Sequence, residues 1–221
     1  MVGEGWIQLV IALCFLLALR VWAILPYRRR RQGSWDPLLR SQERPLERKI
    51  KTLVVLGSGG HTSEMLKLTA GLSPKVYTPM CYVVAKTDHT SIHRIPPEHL
   101  ESGRCWMATI PRSREVGQSW PSTFVTTLWS GAFSVALVMK VRPDLILVNG
   151  PGTCIPICLA GFALRIIPGW GGKIIFCESF CRVKTLSMTG KIMYPIADRF
   201  LVHWPELLEV YPLSEYIGQL L

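Results

Sequence analysis

Residues that could hold a phosphate and move a proton lie where an apolar run breaks into glycines. Residues 53–56 are followed by Gly57-Ser58-Gly59-Gly60-His61-Thr62, and a helical pattern of apolar residues begins at Met65. Glycines allow a sharp turn and close approach to a ligand, and the first N–H groups of a helix carry partial positive charge. This strand, loop and helix predict a phosphate site in which His61 hydrogen-bonds the ligand or acts as a base.

Two simpler structural roles fit the same residues. The glycines could only close a turn between strand and helix, and His61 could only cap the loop. The run is not the dinucleotide-binding fingerprint, because His61 and Thr62 stand where that pattern has an unspecified residue and its third glycine. In the following helix we predict Thr62 or Ser63 as the N-cap, Glu64 near the positive end of the dipole, and Gly71 after the last turn.

Three more polar loops follow predicted strands, at the sheet edge where open α/β sheets bind ligands. Arg112 and Arg114 could bind a pyrophosphate bidentately, or could belong to a solvated loop. The other two loops carry Asn149, Gly150, Gly152 and Thr153, and Glu178 with Arg182. Glu178 could bind a hydroxyl or act as a base, or could only pair with Arg182. Because several such loops converge, we predict a functional site there.

The elements that position these loops alternate along the chain. Strands are predicted at residues 53–56, 80–85, 105–110, 145–149, 173–177 and 200–203, with helices or loops between them. This alternation predicts an α/β fold with a doubly wound, Rossmann-like parallel sheet. Residues 119–141 are apolar enough to span a membrane, but their Ser and Thr residues favour a core helix. Residues 153–167 could likewise be a core helix or a partly membrane-facing one.

The amino terminus predicts a transmembrane anchor. Residues 6–25 are apolar apart from Gln8 and Arg20, and this length matches the hydrocarbon thickness of a bilayer. A signal peptide would carry positive charge before its apolar core, whereas here Glu4 precedes the core and four arginines, residues 28–31, follow it. The positive-inside rule then places the remainder of the chain in the cytosol. We predict an anchor at 1–27, a basic linker at 28–49 and a folded domain at 50–221.

Charge and cysteine content narrow the partners and the compartment. The formal net charge of +10 suits a polyanion, and arginines beside an apolar segment favour a membrane surface over nucleic acid. The seven cysteines lack the CxxC spacing of zinc ribbons and redox motifs. The pairs Cys154/Cys158 and Cys177/Cys181 are predicted to be buried free thiols in a reducing compartment. We expect neither a metal site nor a cofactor.

Together these motifs resemble the membrane-anchored subunit of a two-component N-acetylglucosaminyltransferase, which adds the second GlcNAc to dolichol-pyrophosphate-GlcNAc in asparagine-linked glycosylation. The resemblance covers nearly the whole chain. Beyond the anchor and residues 57–62, it is carried by Ile110-Pro111-Arg112-Ser113-Arg114-Glu115-Val116, Gln118-Ser119-Trp120-Pro121-Ser122-Thr123, Val148-Asn149-Gly150-Pro151-Gly152-Thr153-Cys154, and Glu178-Ser179 with Cys181-Arg182-Val183. The family looks like the amino-terminal, acceptor-side half of a GT-B glycosyltransferase, similar to the bacterial enzyme that glycosylates undecaprenyl-pyrophosphate-linked muramyl peptide.

The resemblance implies half of an enzyme that is inactive alone. After the anchor and linker about 170 residues remain, enough for one α/β domain. This half would hold the lipid-linked acceptor at the cytosolic face of the endoplasmic reticulum, while a soluble catalytic partner binds UDP-GlcNAc. His61 or Glu178 would take a proton from the acceptor 4-hydroxyl in an inverting transfer. The basic, Pro-rich linker is longer than in the family.

Two other classes fit parts of the sequence. A membrane-tethered NAD(P)-dependent oxidoreductase gains support from Asp88, placed after the second strand where a ribose-binding acid could lie. That class is weakened because the third fingerprint glycine and a second catalytic domain are missing. A non-enzymatic membrane adaptor shares the anchoring role, and differs in that mutations in the loops would leave its function intact.

The C-terminal segment is predicted to dock the catalytic partner. Chain ends are usually polar and mobile, but this one finishes with Tyr216, Ile217, Leu220 and Leu221 among its last six residues. The resemblance favours docking, because the two halves of the family are held together partly through this segment. The alternative is that the segment packs on its own domain.

Overall fold

A computed structural model describes residues 2–26, 49–97, 100, 103–114, 117–167, 169–216 and 218. The predicted linker therefore lies almost entirely outside the described residues. The described helices are α1 (Val2–Ile24), α2 (Gly60–Ala70), α3 (His89–Ile92), α4 (Trp120–Val141), α5 (Cys154–Leu164), α6 (Met188–Met193) and α7 (Glu206–Val210). The described strands are β1 (Thr52–Leu56), β2 (Met80–Ala85), β3 (Cys105–Ile110), β4 (Leu145–Asn149), β5 (Lys173–Cys177), β6 (Arg199–Val202) and β7 (Glu215–Tyr216).

The strands form one parallel sheet in the order β3-β2-β1-β4-β5-β6-β7. From β1 the chain builds outward to β3, then returns to the other side of β1 with β4 and builds outward again. In the centre, Val54 pairs with Tyr82 of β2 and with Leu147 of β4. This reversal places the loops after β1 and β4 side by side, which is where doubly wound sheets bind ligands. The predicted fold class is confirmed.

Alternation along β1 divides the core into two apolar layers, one on each face of the sheet. Leu53 and Val55 belong to one layer, which includes α5, while Val54 and Leu56 belong to the other, which includes Met65 of α2. Successive side chains of a strand point to opposite faces, so a strand buried on both faces must be apolar throughout. All five residues of β1 are buried, as its sequence predicts.

Two strands differ slightly from the prediction, and the first of them, β1, begins at Thr52, one residue earlier. β6 spans Arg199–Val202 rather than 200–203, because its backbone pairing with β5 begins with Arg199 opposite Ile175. The Arg199 guanidinium also binds the Glu215 carboxylate of β7, with Nε 3.0 Å from Oε2. β7 itself was not predicted from the sequence. It is only two residues long and ends at Tyr216, which pairs with Val202 and is 41% exposed. The other predicted docking residues, Ile217, Leu220 and Leu221, lie outside the described residues.

The two apolar helices of the domain have opposite environments. α5 is the buried one: an added Cβ on Gly161 would lie 2.5 Å from Cδ1 of Ile146, so the helix lies directly on β4. α4 packs on the outer side of α5, and the prediction that residues 119–141 form a core helix is wrong. Most of its large apolar side chains are exposed, including Phe124 and Trp129 at 67% and 63%.

Two described helices are long and apolar enough to cross a membrane, Trp6–Ile24 within α1 and Pro121–Val141 within α4. The first fits the predicted membrane anchor, because its apolar side chains are exposed along its length. All seven cysteines are free, and burial raises the pKa of Cys81 to about 12. Cys154, Cys158 and Cys177 are buried as predicted, but Cys181 is exposed because it lies in the loop beyond β5.

Candidate functional site

The glycine-rich loop after β1 starts helix α2 earlier than predicted. The helix begins at Gly60, and its N-cap is Gly59, whose φ of 68° lies in the region that favours glycine. The prediction of Thr62 or Ser63 as the N-cap is therefore wrong. Thr62 is buried within the first turn, and its hydroxyl donates back to the carbonyl of Gly57. The glycines thus bring the helix N-terminus to the very end of β1.

A polar cluster behind the loop fixes the Gly57 carbonyl. Ser91 Oγ donates to this carbonyl at 3.0 Å and lies 2.6 Å from Asp88 Oδ2. Burial alone would raise the pKa of Asp88, but hydrogen bonds from Ser91 and Thr90 and the charge of Arg112 hold it below its usual value. Asp88 also caps α3 through the Ser91 amide. These contacts give Asp88 a structural role, which removes the feature that favoured a ribose-binding site.

The loop after β4 presses directly against the loop after β1. An added Cβ on Gly150 would lie 2.4 Å from Cε1 of His61, and Gly150 has a φ of 48°. An added Cβ on Gly57 would lie 2.6 Å from Cβ of Pro151. Real Cβ atoms do not approach other carbons so closely, so both positions require glycine in this packing. The His61 imidazole therefore rests on the backbone of Gly150, at the reversal point of the sheet.

Glu64 joins three of the strand-end loops. Its Oε2 accepts a hydrogen bond at 3.2 Å from Nδ2 of Asn149, the last residue of β4, and its Oε1 accepts one at 3.0 Å from Oγ of Ser179, in the loop after β5. Asn149 Nδ2 also donates to the His61 carbonyl at 2.8 Å. From its position in the sequence, Glu64 was predicted only to lie near the positive end of the helix dipole. Its spacing of three residues from His61 was the available signal, because side chains three apart share a helix face.

Glu178 and His61, the two predicted bases, have different surroundings. The Glu178 side chain is 1% exposed, and its oxygens accept hydrogen bonds from the amides of Ser179 and Ser187, both at 2.9 Å. An added Cβ on Gly190 would lie 2.1 Å from Glu178 Oε2, so α6 packs closely on the carboxylate. The His61 side chain is 34% exposed. In this arrangement the Glu178 carboxylate is used to hold the two ends of the loop that precedes α6, whereas the His61 side chain is accessible to a ligand.

Arginines surround the N-terminus of α2. Arg112 Nη2 donates to Ser58 Oγ at 3.2 Å, which brings the loop after β3 to the glycine loop. Arg94, which the sequence analysis did not single out, donates from Nη1 to the Gly59 carbonyl at 3.0 Å. Guanidinium groups beside free helix N–H groups favour an anion, and phosphate oxygens suit both kinds of donor.

The remaining predicted residues lie around this centre at different depths. Gly152 follows Pro151, and an added Cβ there would be 3.7 Å from Ser113 Oγ, in ordinary contact. Thr153 is buried immediately before α5. Arg114 and Arg182 are exposed on the loops after β3 and β5. The structure therefore brings together four loops, with Gly57, His61, Asn149, Gly150 and Arg112 at their meeting point.

The packing of His61 on Gly150 gives a direct test of this site. Gly150→Ala is expected to displace the imidazole and lower the activity that depends on it by at least about tenfold, the scale of losing a positioned group. Gly171→Ala is the matched control, because its added methyl meets no atom within 4 Å and it lies before β5, away from the strand-end loops. Activity and thermal stability should be measured for both variants. Equal activities in two folded proteins would contradict the proposed position of His61.

Fold and site together define a class of protein. A doubly wound parallel sheet with glycine loops meeting at its reversal point is a Rossmann-like α/β domain. The solved structure of MurG from Acinetobacter baumannii shares the fold, with a TM-score of 0.53 over 71% of this chain and 14% sequence identity. The likeness covers 42% of the MurG chain, so this chain spans less than half of that protein.

Sequence comparison identifies the family within this class. The family model described as "Oligosaccharide biosynthesis protein Alg14 like" matches residues 52–220. A human relative named UDP-N-acetylglucosamine transferase subunit ALG14 is 42% identical over 218 residues, covering 95% of this chain and 94% of the relative. A relative of the same name from Schizosaccharomyces pombe is 42% identical over 183 residues, covering 80% and 86%. The chain belongs to the Alg14 family, and the resemblance drawn from its motifs is confirmed.

Proposed function

We propose that this chain is the membrane-bound, acceptor-binding subunit of an N-acetylglucosaminyltransferase at the cytosolic face of the endoplasmic reticulum. It recruits a soluble catalytic subunit, and the complex transfers GlcNAc from UDP-GlcNAc to GlcNAc-pyrophosphate-dolichol with a β-1,4 linkage. Relatives at 42% identity are named as UDP-N-acetylglucosamine transferase subunits. The observation that carries the proposal is the packing of His61 between the loops after β1 and β4, where this fold binds ligands.

The names of the relatives, each called a transferase subunit, support a divided enzyme. The domain has one parallel sheet and two apolar layers, and its likeness to MurG extends over less than half of that chain. A GT-B enzyme needs a second domain for its nucleotide-sugar donor. We assign the UDP-GlcNAc site to the soluble partner, so that catalysis occurs only in the assembled complex.

In the proposed reaction His61 is the general base. The acceptor 4-hydroxyl gives its proton to the imidazole, and its oxygen forms a bond to C1 of the donor sugar. The bond from C1 to the donor phosphate oxygen breaks, and UDP leaves with the electron pair. Attack on the face opposite the leaving group inverts the configuration at C1. The partial exposure of His61 supports this role, and the enclosed carboxylate of Glu178 makes it the weaker of the two candidates.

The acceptor pyrophosphate is assigned to the glycine loop and the adjacent arginines. The Arg112 guanidinium donates to Ser58, two residues before the start of α2 and its free N–H groups, and Arg114 lies two residues further along the same loop as Arg112. These donors would hold the negative charge close to the reacting hydroxyl and fix the orientation of the acceptor sugar. Asn149, Gly150, Gly152, Thr153 and Arg182 would complete the walls of this site.

The membrane contact is assigned to α1 and to the outer face of α4. The amphipathic character of α4 is reversed: Ser130 and Ser134 are buried, whereas Phe124 and Trp129 are exposed. A helix on the surface of a water-soluble domain has the opposite arrangement. An apolar medium on the outer side of α4 explains the reversal, and a lipid bilayer already adjoins the chain through its anchor.

The polar side of α4 connects this membrane contact to the site. Ser130 Oγ donates to the Pro111 carbonyl at 2.8 Å, and Thr126 Oγ1 donates to the Ser113 carbonyl at 2.7 Å. The Ser and Thr residues of α4 thus hold the loop that carries Arg112. A helix lying on the bilayer would keep this loop within reach of a lipid-linked pyrophosphate, which suits a dolichol-bound acceptor.

Partner recruitment is assigned to the C-terminal segment. Removal of residues 216–221 is expected to reduce the amount of catalytic subunit that co-purifies from the same membranes by at least about tenfold. Among the described strand residues, this deletion removes only Tyr216, which pairs with Val202 at the edge of the sheet and is exposed there. Equal recovery with full-length and truncated chains would refute docking through this segment. Loss of the folded state on truncation would instead show that the segment packs on its own domain.

A further inference from the structure

We propose that Glu64 is the positioning residue for His61, holding a proton on Nδ1 of the imidazole so that Nε2 is free to accept one from the acceptor. This inference rests on the proposed function, in which His61 is the base. Glu64 lies one helical turn beyond His61 in α2, and its Oε2 is 3.6 Å from His61 Nδ1. A histidine that acts as a base towards a hydroxyl needs a further group that fixes the orientation of its ring and the nitrogen that carries the proton.

The surroundings of Nδ1 select Glu64 for this role. Nδ1 is buried and has no hydrogen-bond partner in the described part of the chain. A buried imidazole nitrogen without a partner is costly, and the nearest acidic oxygen is that of Glu64. The separation is longer than a hydrogen bond, but catalytic hydrogen bonds are often long before substrate binds and shorten in the complex. A small rotation of either side chain would close the gap.

Other contacts hold Glu64 in place for this task. Ser179 Oγ and the Phe180 amide donate to Oε1 at 3.0 and 3.4 Å, and Asn149 Nδ2 donates to Oε2 at 3.2 Å. The carboxylate is thus held by donors from two loops, and its side chain is 16% exposed. Because every one of these groups donates, the carboxylate remains an acceptor toward Nδ1. After proton transfer, its negative charge would lie beside the new imidazolium and stabilise it.

Glu64→Gln tests the tautomer directly, because the amide has one accepting and one donating end. The backbone amide of Phe180 is fixed and can only donate, whereas the side-chain amide of Asn149 can turn over and offer Oδ1, which has no partner among the described residues. The carbonyl oxygen of the glutamine should therefore occupy the Oε1 position. Its NH2 group then faces Nδ1, which must accept, and the ring proton moves to Nε2. The imidazole can no longer take a proton at Nε2. A merely structural role for Glu64 would not require this change of tautomer.

The first measurement is the ¹⁵N spectrum of the His61 ring in the full-length chain in lipid nanodiscs, identified by its loss in His61→Ala. We expect the Nδ1–H form in the native chain and the Nε2–H form in Glu64→Gln. The same tautomer in both proteins would overturn the proposal. This outcome does not depend on catalysis, so it is separate from any failure of the proposed function.

The second measurement is a double-mutant cycle in the complex with the catalytic subunit, with kcat and KM determined for a lipid-linked GlcNAc acceptor. Glu64→Gln is expected to lower kcat about tenfold with little change in KM, and to have less than about a twofold effect when His61 is already alanine. Equal effects in both backgrounds would show that Glu64 acts independently of His61, and would overturn the proposal. Lys67→Gln, which changes an exposed side chain one turn beyond Glu64 in α2, is the control and should retain the native kcat.

Discussion

His61→Ala is expected to lower kcat of the assembled transferase by at least about tenfold, and by up to about a thousandfold if the imidazole supplies the full effect of a general base. The physical reason is that the acceptor hydroxyl would lose the group that removes its proton while the new bond forms. The assay is GlcNAc transfer from UDP-GlcNAc to a lipid-linked GlcNAc acceptor, in membranes that contain both subunits. KM for the acceptor should change less than kcat, because the pyrophosphate contacts remain.

His93→Ala is the control for this prediction. His93 is an exposed histidine at the end of α3, so its replacement changes the same side chain without touching the strand-end loops. Recovery of the catalytic subunit with the His61 variant should equal that of the native chain, because the ring lies against Gly150 and not at the C-terminal edge. Near-normal turnover by His61→Ala would exclude it as the base, and normal turnover by all loop variants would favour the adaptor function.

The fold was predictable because its signals are local. Leu53, Val54, Val55 and Leu56 are all buried, and short apolar runs of this kind followed by loops and helices point to parallel strands. β7 gave no such signal, because two residues are too few for a periodic pattern and the strand forms only by pairing with Leu201 and Val202 of β6. Local sequence thus determines the strands of the core better than those at the edge.

The loops of the site were predictable, but their mutual contacts were not. Strand ends fixed the positions of His61, Asn149 and Arg112 along one edge of the sheet. The contact of His61 with Gly150 and the contacts of Glu64 with two other loops depend on packing between segments more than 80 residues apart. The same holds for Glu178. Its place at the end of a strand could be predicted, but its burial against Gly190 of α6 could not, because that contact is between separate segments.

The error on α4 has a different cause. Composition alone cannot tell a helix buried in protein from one that faces lipid, because both are apolar. The useful sign was the order of its residues: Ser130, Ser134 and Val138 recur every four positions and form one stripe, which is buried against the domain. The aromatic residues occupy the remaining circumference. Small polar residues recurring along one side of an apolar helix therefore mark its protein-facing side.

A photo-crosslinking amino acid at Phe124 or Trp129 is expected to form adducts with lipid in native membranes. Leaving large apolar side chains in water is unfavourable by roughly 1.5 to 3 kcal/mol each relative to burial, and α4 exposes several of them side by side. Placing this face in the boundary between head groups and acyl chains removes that cost, as for other helices that lie in the membrane plane. We expect at least about tenfold more lipid adduct at these two positions than at a control position.

Met188 supplies the control, because it is an exposed apolar side chain on α6, outside the face formed by α4. The intact chain is used, so α1 keeps every variant at the membrane and differences in adduct report only on the local environment. Adducts at Phe124 and Trp129 with the catalytic subunit or with a second copy of this chain would show that protein covers α4, and would refute its contact with lipid. Lipid adducts confined to α4 would place the loop held by Ser130 and Thr126 at the bilayer surface, where a pyrophosphate on a dolichol chain must lie.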